Sequence, residues 1–156
     1  MYYNAAKLMH IFGLITWLGP STGGYLLFLL ARYEKESGTV IWIFDKYINL
    51  VYLEGLGLLI LLLSGYMMRD AEPELRHAHW LKRKLLIVFL IFVPFELAHL
   101  YLYNFIVKEV FFKGIGITET LLFYDKLAIA ATFALLVAVP AVFWLSIFRP
   151  RSLVRD

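Results

Sequence analysis

The sequence predicts an all-α, integral membrane four-helix bundle. Hydrophobic residues make up 62% of the chain, against about half in a soluble domain of similar length. They come as long runs, and a run of about 20 apolar residues is what crosses a hydrocarbon layer. Charged residues gather between the runs, as membrane flanks do.

Taken in order, hydropathy and charged flanks place helices at about 4–32, 43–68, 79–107 and 120–148. The first contains KLMHIFGLITWLGPSTGGYLLF, at 7–28. It is too long, and too rich in Trp, Tyr and Gly, to read as a cleaved signal peptide. The second and third are bounded by the polar connections YEKESGT and RDAEPELRHA, and KEVFFKGIGITE leads into the fourth. None of these connections is long enough to fold alone, so residues 1–156 read as a single transmembrane domain. Pro20, Pro94 and Pro140 fall inside spans, where each deletes a backbone hydrogen bond and tends to kink its helix.

An even number of spans puts both termini on one side, together with the second connection. That side carries Lys7, Arg69, Arg76, Lys82, Arg83, Lys84, Arg149, Arg151 and Arg155. The other carries the smaller set Arg32, Lys35, Lys46, Lys108, Lys113 and Lys126. The bias favours cytoplasmic termini and a multi-pass location in the cell (inner or plasma) membrane, with the lipid bilayer as first partner. Trp42, Trp80 and Trp144 sit near span ends, as an aromatic belt would, whereas Trp17 sits at depth.

Composition excludes several classes. There is no cysteine, so disulfides, thiolate metal sites, iron–sulfur clusters and covalently attached haem are ruled out. The net charge of +3 is small and scattered, which argues against nucleic acid as a partner. No phosphate-binding glycine loop is visible, because Gly23 and Gly24 lie inside a span.

Ionisable residues at depth are costly and read as functional candidates. With about 1.5 Å of rise per residue, Glu54, Glu96, His99 and the Gly23–Gly24 pair share one layer in the outer half. His10, Met67, Met68, His77, His79 and Trp80 share a second level near the inner interface. At about 100° per residue, His10, Trp17, Ser21, Gly24 and Phe28 form a stripe on helix 1, flanked by Gly13. Tyr47, Glu54, Gly57, Gly65 and Met68 form one on helix 2, and Glu96, His99 and Tyr103 are neighbours on helix 3. Each face combines polar or ligand-grade side chains, and two of them add glycine. Glycine lets another backbone approach, or a flat cofactor. Haem is the cofactor such a bundle holds between facing helices, with imidazole as its usual ligand.

Helix 1 reads Lys7-x-x-His10-x-x-Gly13-x-x-x-Trp17, and helix 3 opens Trp80-Leu81-x-x-Lys84. Over roughly the first 100 residues this resembles the superfamily of small four-helix, haem-associated membrane proteins that includes the HemJ-type protoporphyrinogen oxidase. The resemblance implies haem b with His10 as an axial ligand, and a homodimer or larger assembly. Trp17 and Lys84 match the pattern as well. The oxidase pattern has histidines where this chain has Lys82 and Phe95, and an arginine where it has Leu26. Helix 4 carries no motif.

The expected metal ligands are therefore His10, His79 and His99, with Gly13, Trp17, Ser21, Gly24, Glu54, Met68, Lys84 and Glu96 lining the cofactor. An axial pair must share a depth, so His10 pairs with His79, His77 or Met68, and His99 does not pair with His10. His99 is left to bind a ring alone, to meet a second subunit, or to hydrogen-bond Glu54 or Glu96. The two carboxyls are candidates to pass protons, to hold a quinol head group, or to form a buried hydrogen bond. The function expected first is a membrane cytochrome b passing electrons to a quinone or another membrane redox protein. The alternatives are the oxidase itself, or a non-redox stabilising subunit or transporter.

Overall fold

The computed structural model describes residues 2–33, 37–107 and 117–148, and within them only Glu72 and Ala78 lie outside helical turns. The chain is all-α. Helix α1 runs Tyr2–Tyr33 and α2 runs Ser37–Ala71. Helix α3 is the short Pro73–His77, and α4 is His79–Ile87. A π-helical turn, Val88–Phe92, leads into α5, Val93–Tyr101, and a second π-helical turn covers Leu102–Val107. Helix α6 is Ile117–Phe148.

Among the described residues, three helices are long and apolar enough to cross a membrane: Ile41–Ala71, His79–Asn104 and Ile129–Phe148. The sequence reading expected four. Helix α1 has the length, and the side chains of its apolar end from Phe28 to Tyr33 lie outside the described residues. It exposes Leu8, Phe12 and Ile15 along one face. Large apolar side chains also face outward on every other long helix, among them Leu59, Leu63, Leu86, Leu90, Phe133 and Leu136. An outer surface of this kind is compatible with lipid rather than water.

Two local departures have clear causes. RDAEPELRHA, expected as a plain connection, contains α3. Pro73 suits a first helical turn, Glu74 sits at the positive end of the helix dipole, and Arg76 and His77 sit at the negative end. Ala78 is extended and makes the corner, with its carbonyl accepting from Leu81 N and Lys82 N at 3.1 and 3.2 Å. The π-helical turn at Val88–Phe92 directly precedes Pro94. Proline has no N–H to give the Leu90 carbonyl and crowds it, and a wider turn absorbs the mismatch. Pro20 and Pro140 lie inside continuous helices. The segments 34–36 and 108–116 and the end from residue 149 lie outside the described residues, as do the side chains of Phe28, Arg32 and Asp125. The charge count that oriented the chain draws partly on them.

Helices α1 and α2 are antiparallel, because pairs that rise along α1 descend along α2: His10 with Ser64, Ser21 with Glu54, Gly24 with Tyr47. Helix α2 meets the α5 region in the same sense, through Glu54 with His99, Gly55 with Leu100, and Tyr52 with Asn104. The buried cluster Trp17, Leu58, Phe92 and Ala138 takes a residue from each of the four long helical stretches. The Trp17 and Phe92 rings lie 5.1 Å apart at 59°.

Candidate functional site

The polar stripe of α1 is turned onto α2, and the two helices meet closely. A β-carbon at Gly57 would lie 2.5–2.8 Å from backbone atoms of Thr16 and Trp17. One at Gly13 would lie 2.9–3.1 Å from Ile60, Leu61 and Gly57. At Gly24 it would run into the Tyr47 ring. Gly13, Gly24 and Gly57 therefore face protein and serve the approach of helices. Gly19 and Gly23 have nothing within 4 Å of such a carbon. This is the physical resolution of an ambiguity that sequence leaves open, between a neighbouring helix and a flat ring.

Two polar clusters result. The first joins three helices around Glu54 and Glu96, both buried. Ser21 Oγ donates to Glu54 Oε1 at 2.5 Å and also lies 2.8 Å from the Trp17 carbonyl. The Trp17 indole N–H donates to Glu96 Oε2 at 3.3 Å. Among the described residues, no N–H or hydroxyl donor reaches Glu96 Oε1, which lies against Gly55. His99 Nδ1 faces Glu54 Oε2 at 3.5 Å, and His99 Nε2 is 3.3 Å from the Tyr47 hydroxyl. The Tyr47 ring meets Tyr103 edge-on at 5.0 Å. Among the described residues, no Lys or Arg pairs with either carboxyl.

The second cluster surrounds His10. Its Nδ1 is 3.1 Å from the Leu61 carbonyl and 3.0 Å from Ser64 Oγ. A carbonyl only accepts, so Nδ1 carries the proton. Ser64 spends its own hydroxyl hydrogen on the Ile60 carbonyl at 2.6 Å, and so accepts from Nδ1 too. In the neutral ring this tautomer leaves the lone pair on Nε2. Gly65 lies under the ring, 3.5 Å from Cε1 to where its β-carbon would be. Lys84, half-buried, is close enough to act on His10 electrostatically.

The structure thus brings Trp17, Ser21, Glu54, Glu96 and His99 into one cluster, and holds His10 against Leu61 and Ser64 in another. His99 takes the role of a hydrogen-bonded histidine beside Glu54. Its two nitrogens face Glu54 and Tyr47. His77 and His79 are exposed on α3 and α4, and Met68 is half-buried near the end of α2. No three His, Asp or Glu side chains converge as a metal cage among the described residues. A cavity of about 260 Å³ lies elsewhere, lined by Arg69, Leu75, Arg76, Leu81, Lys82 and Leu85.

Sequence reasoning missed Ser64 and the Leu61 carbonyl as the holders of His10. A signal was present, since Ser64 lies seven residues after Gly57 and so on the same face of α2. It also placed Trp17 in the cofactor lining without seeing that its indole N–H donates to Glu96. No protein-family model, curated protein or solved structure matches the chain.

The residues present fit an imidazole ligand, since His10 is clamped by a second shell that fixes its tautomer, as metal-bound histidines are. They fit a ring slot between α1 and α2 less well, because the glycines there are filled by protein.

Proposed function

We propose that the chain is a multi-pass membrane protein, a four-helix bundle with cytoplasmic termini, that binds haem b through His10 and passes electrons within the membrane as a homodimer. The observation that carries this reading is the His10 ring held by Leu61 and Ser64 with its Nε2 lone pair unspent. The resemblance of Lys7-x-x-His10-x-x-Gly13-x-x-x-Trp17 to haem-associated membrane proteins supports it. A haem at His10 supplies a one-electron redox centre. The protein's part is to orient the imidazole through Nδ1–H and, through Lys84, to set positive charge near the site. Porphyrinogen oxidation is not favoured, because Lys82, Phe95 and Leu26 stand where the oxidase pattern has histidines and an arginine.

A second reading has its own support. Gly13, Gly24 and Gly57 are occupied by helix packing, which suits a non-redox subunit or transporter equally well. Visible absorption with a pyridine haemochrome assay on protein from a haem-replete host decides between them. The first reading expects a haem b spectrum that His10→Ala abolishes. Colourless, folded protein overturns it in favour of the second.

A further inference from the structure

We propose that the cavity at the α2–α3–α4 corner binds an anionic phospholipid, with Arg69, Arg76 and Lys82 on the lipid phosphate and Leu75, Leu81 and Leu85 against the start of its acyl chains. These six residues line a space of about 260 Å³. Sites that enclose a whole drug-sized ligand run to roughly 300–1,000 Å³. The smaller volume suits a head group whose chains stay outside in the bilayer. The site depends on the membrane reading above and not on haem.

Local structure sets the position. Arg69 lies in the last turn of α2, Leu75 and Arg76 stand on α3, and Leu81, Lys82 and Leu85 lie in the first two turns of α4. The corner itself is made by Pro73, which starts α3, and by the extended Ala78. It joins the ends of two apolar stretches, Ile41–Ala71 and His79–Asn104. Span ends are the level at which a bilayer holds its phosphates. Leu81 and Leu85 are four residues apart and so share a face of α4. Phe89, four residues further, is exposed and continues the apolar track away from the charged rim.

The charge of the lining has one sign. Three cations face the space and no carboxylate lines it, although the connecting stretch carries Asp70, Glu72 and Glu74. Asp70 engages Arg76 on one nitrogen: the contacts of 2.8 Å to its Oδ1 and 3.1 Å to its carbonyl both use Nη2. The remaining donors of the guanidinium fork are left for a ligand. Among the described residues, Arg69 and Lys82 pair with no carboxylate. Arginine grips a phosphate through parallel N–H groups, and lysine adds a point charge. Basic pockets at the ends of membrane helices bind anionic head groups on these terms. A soluble anion would need only the cations. The leucines beside them favour a phosphate joined to hydrocarbon. A zwitterionic lipid brings an ammonium group that the three cations repel.

Native mass spectrometry of the full-length protein in detergent tests this, with phosphatidylglycerol, phosphatidylcholine and glycerol phosphate as probes. The wild type should take up phosphatidylglycerol saturably, one per chain, and bind the other two more weakly by roughly tenfold or more. Arg69→Gln and Lys82→Gln should each lower the phosphatidylglycerol affinity about fivefold. Arg83→Gln removes the same charge from the next residue, outside the cavity lining, and should leave the affinity unchanged. All three side chains are exposed, so the substitutions leave the packed interior alone. Equal losses at Lys82 and Arg83 overturn the site in favour of diffuse attraction to a basic flank. Phosphatidylcholine or glycerol phosphate bound as tightly as phosphatidylglycerol overturns the anionic lipid as occupant. A chain that needs detergent but takes up no phosphatidylglycerol overturns this site alone, whereas a chain soluble without detergent overturns the membrane reading with it.

Discussion

Trp17 of α1 donates its indole N–H to Glu96 of α5 across 3.3 Å of bundle interior, and both residues are buried. Trp17→Phe keeps most of the ring and removes the donor, leaving Glu96 Oε2 without a partner. Stability should fall by about 1–3 kcal/mol, the cost of an unsatisfied buried acceptor. Trp17→Ala also opens a cavity against Phe92 and should cost roughly 3–5 kcal/mol. Denaturant titration in detergent micelles measures both. A Phe variant as stable as the wild type would show that the hydrogen bond contributes nothing.

The glycines divide into two groups by what surrounds them. Gly57→Ala puts a methyl against the Thr16–Trp17 backbone, which cannot rotate away as a side chain can. It should destabilise by about 1–3 kcal/mol through forced helix separation. Gly23→Ala meets open space and should stay within about 0.5 kcal/mol of the wild type. Thermal unfolding of the two variants in parallel reads the contrast.

If the haem reading holds, Ser64 is a supporting residue rather than a ligand. Ser64→Ala leaves the Leu61 carbonyl to hold Nδ1–H of His10. Haem should still bind but be released more readily, with affinity down about 10–100-fold as for other lost outer-shell partners. Competition with an apo-haem acceptor measures this, and affinity as high as the wild type's would remove Ser64 from the site.

Arg76 pairs with Asp70 at 2.8 Å on an exposed surface near the α2–α3 corner. Such pairs are worth about 0–1 kcal/mol and are screened by salt. Asp70→Asn should therefore change the unfolding midpoint little, and any loss should vanish at high ionic strength.

Tyr52 and Asn104 form a different kind of pair, joining α2 to the π-helical turn after α5 at 2.7 Å on the outer surface. Interhelical hydrogen bonds in membranes average about 0.6 kcal/mol, and Tyr52→Phe should cost about that in reversible unfolding. A loss several times larger would mean that the turn itself depends on this contact.

The amino-acid pattern by itself determined that the chain is helical, where its long helices run, and which residues share a face. Those properties are local. Apolar run length sets a helix, and the repeat of 3.6 residues puts His10, Gly13, Trp17, Ser21 and Gly24 on one side of α1 whatever packs there. Depth along the chain likewise put Glu54, Glu96 and His99 at one level. Only the tertiary structure decided what those faces meet. The partner of Trp17 is 79 residues away and that of His10 is 54, and no periodicity specifies such a pairing. The register follows from backbone contact at Gly57 with Thr16 and Trp17, which aligns Ser21 with Glu54 on one side and His10 with Ser64 on the other. A glycine in sequence says only that something comes close, and it takes the opposing helix to say what.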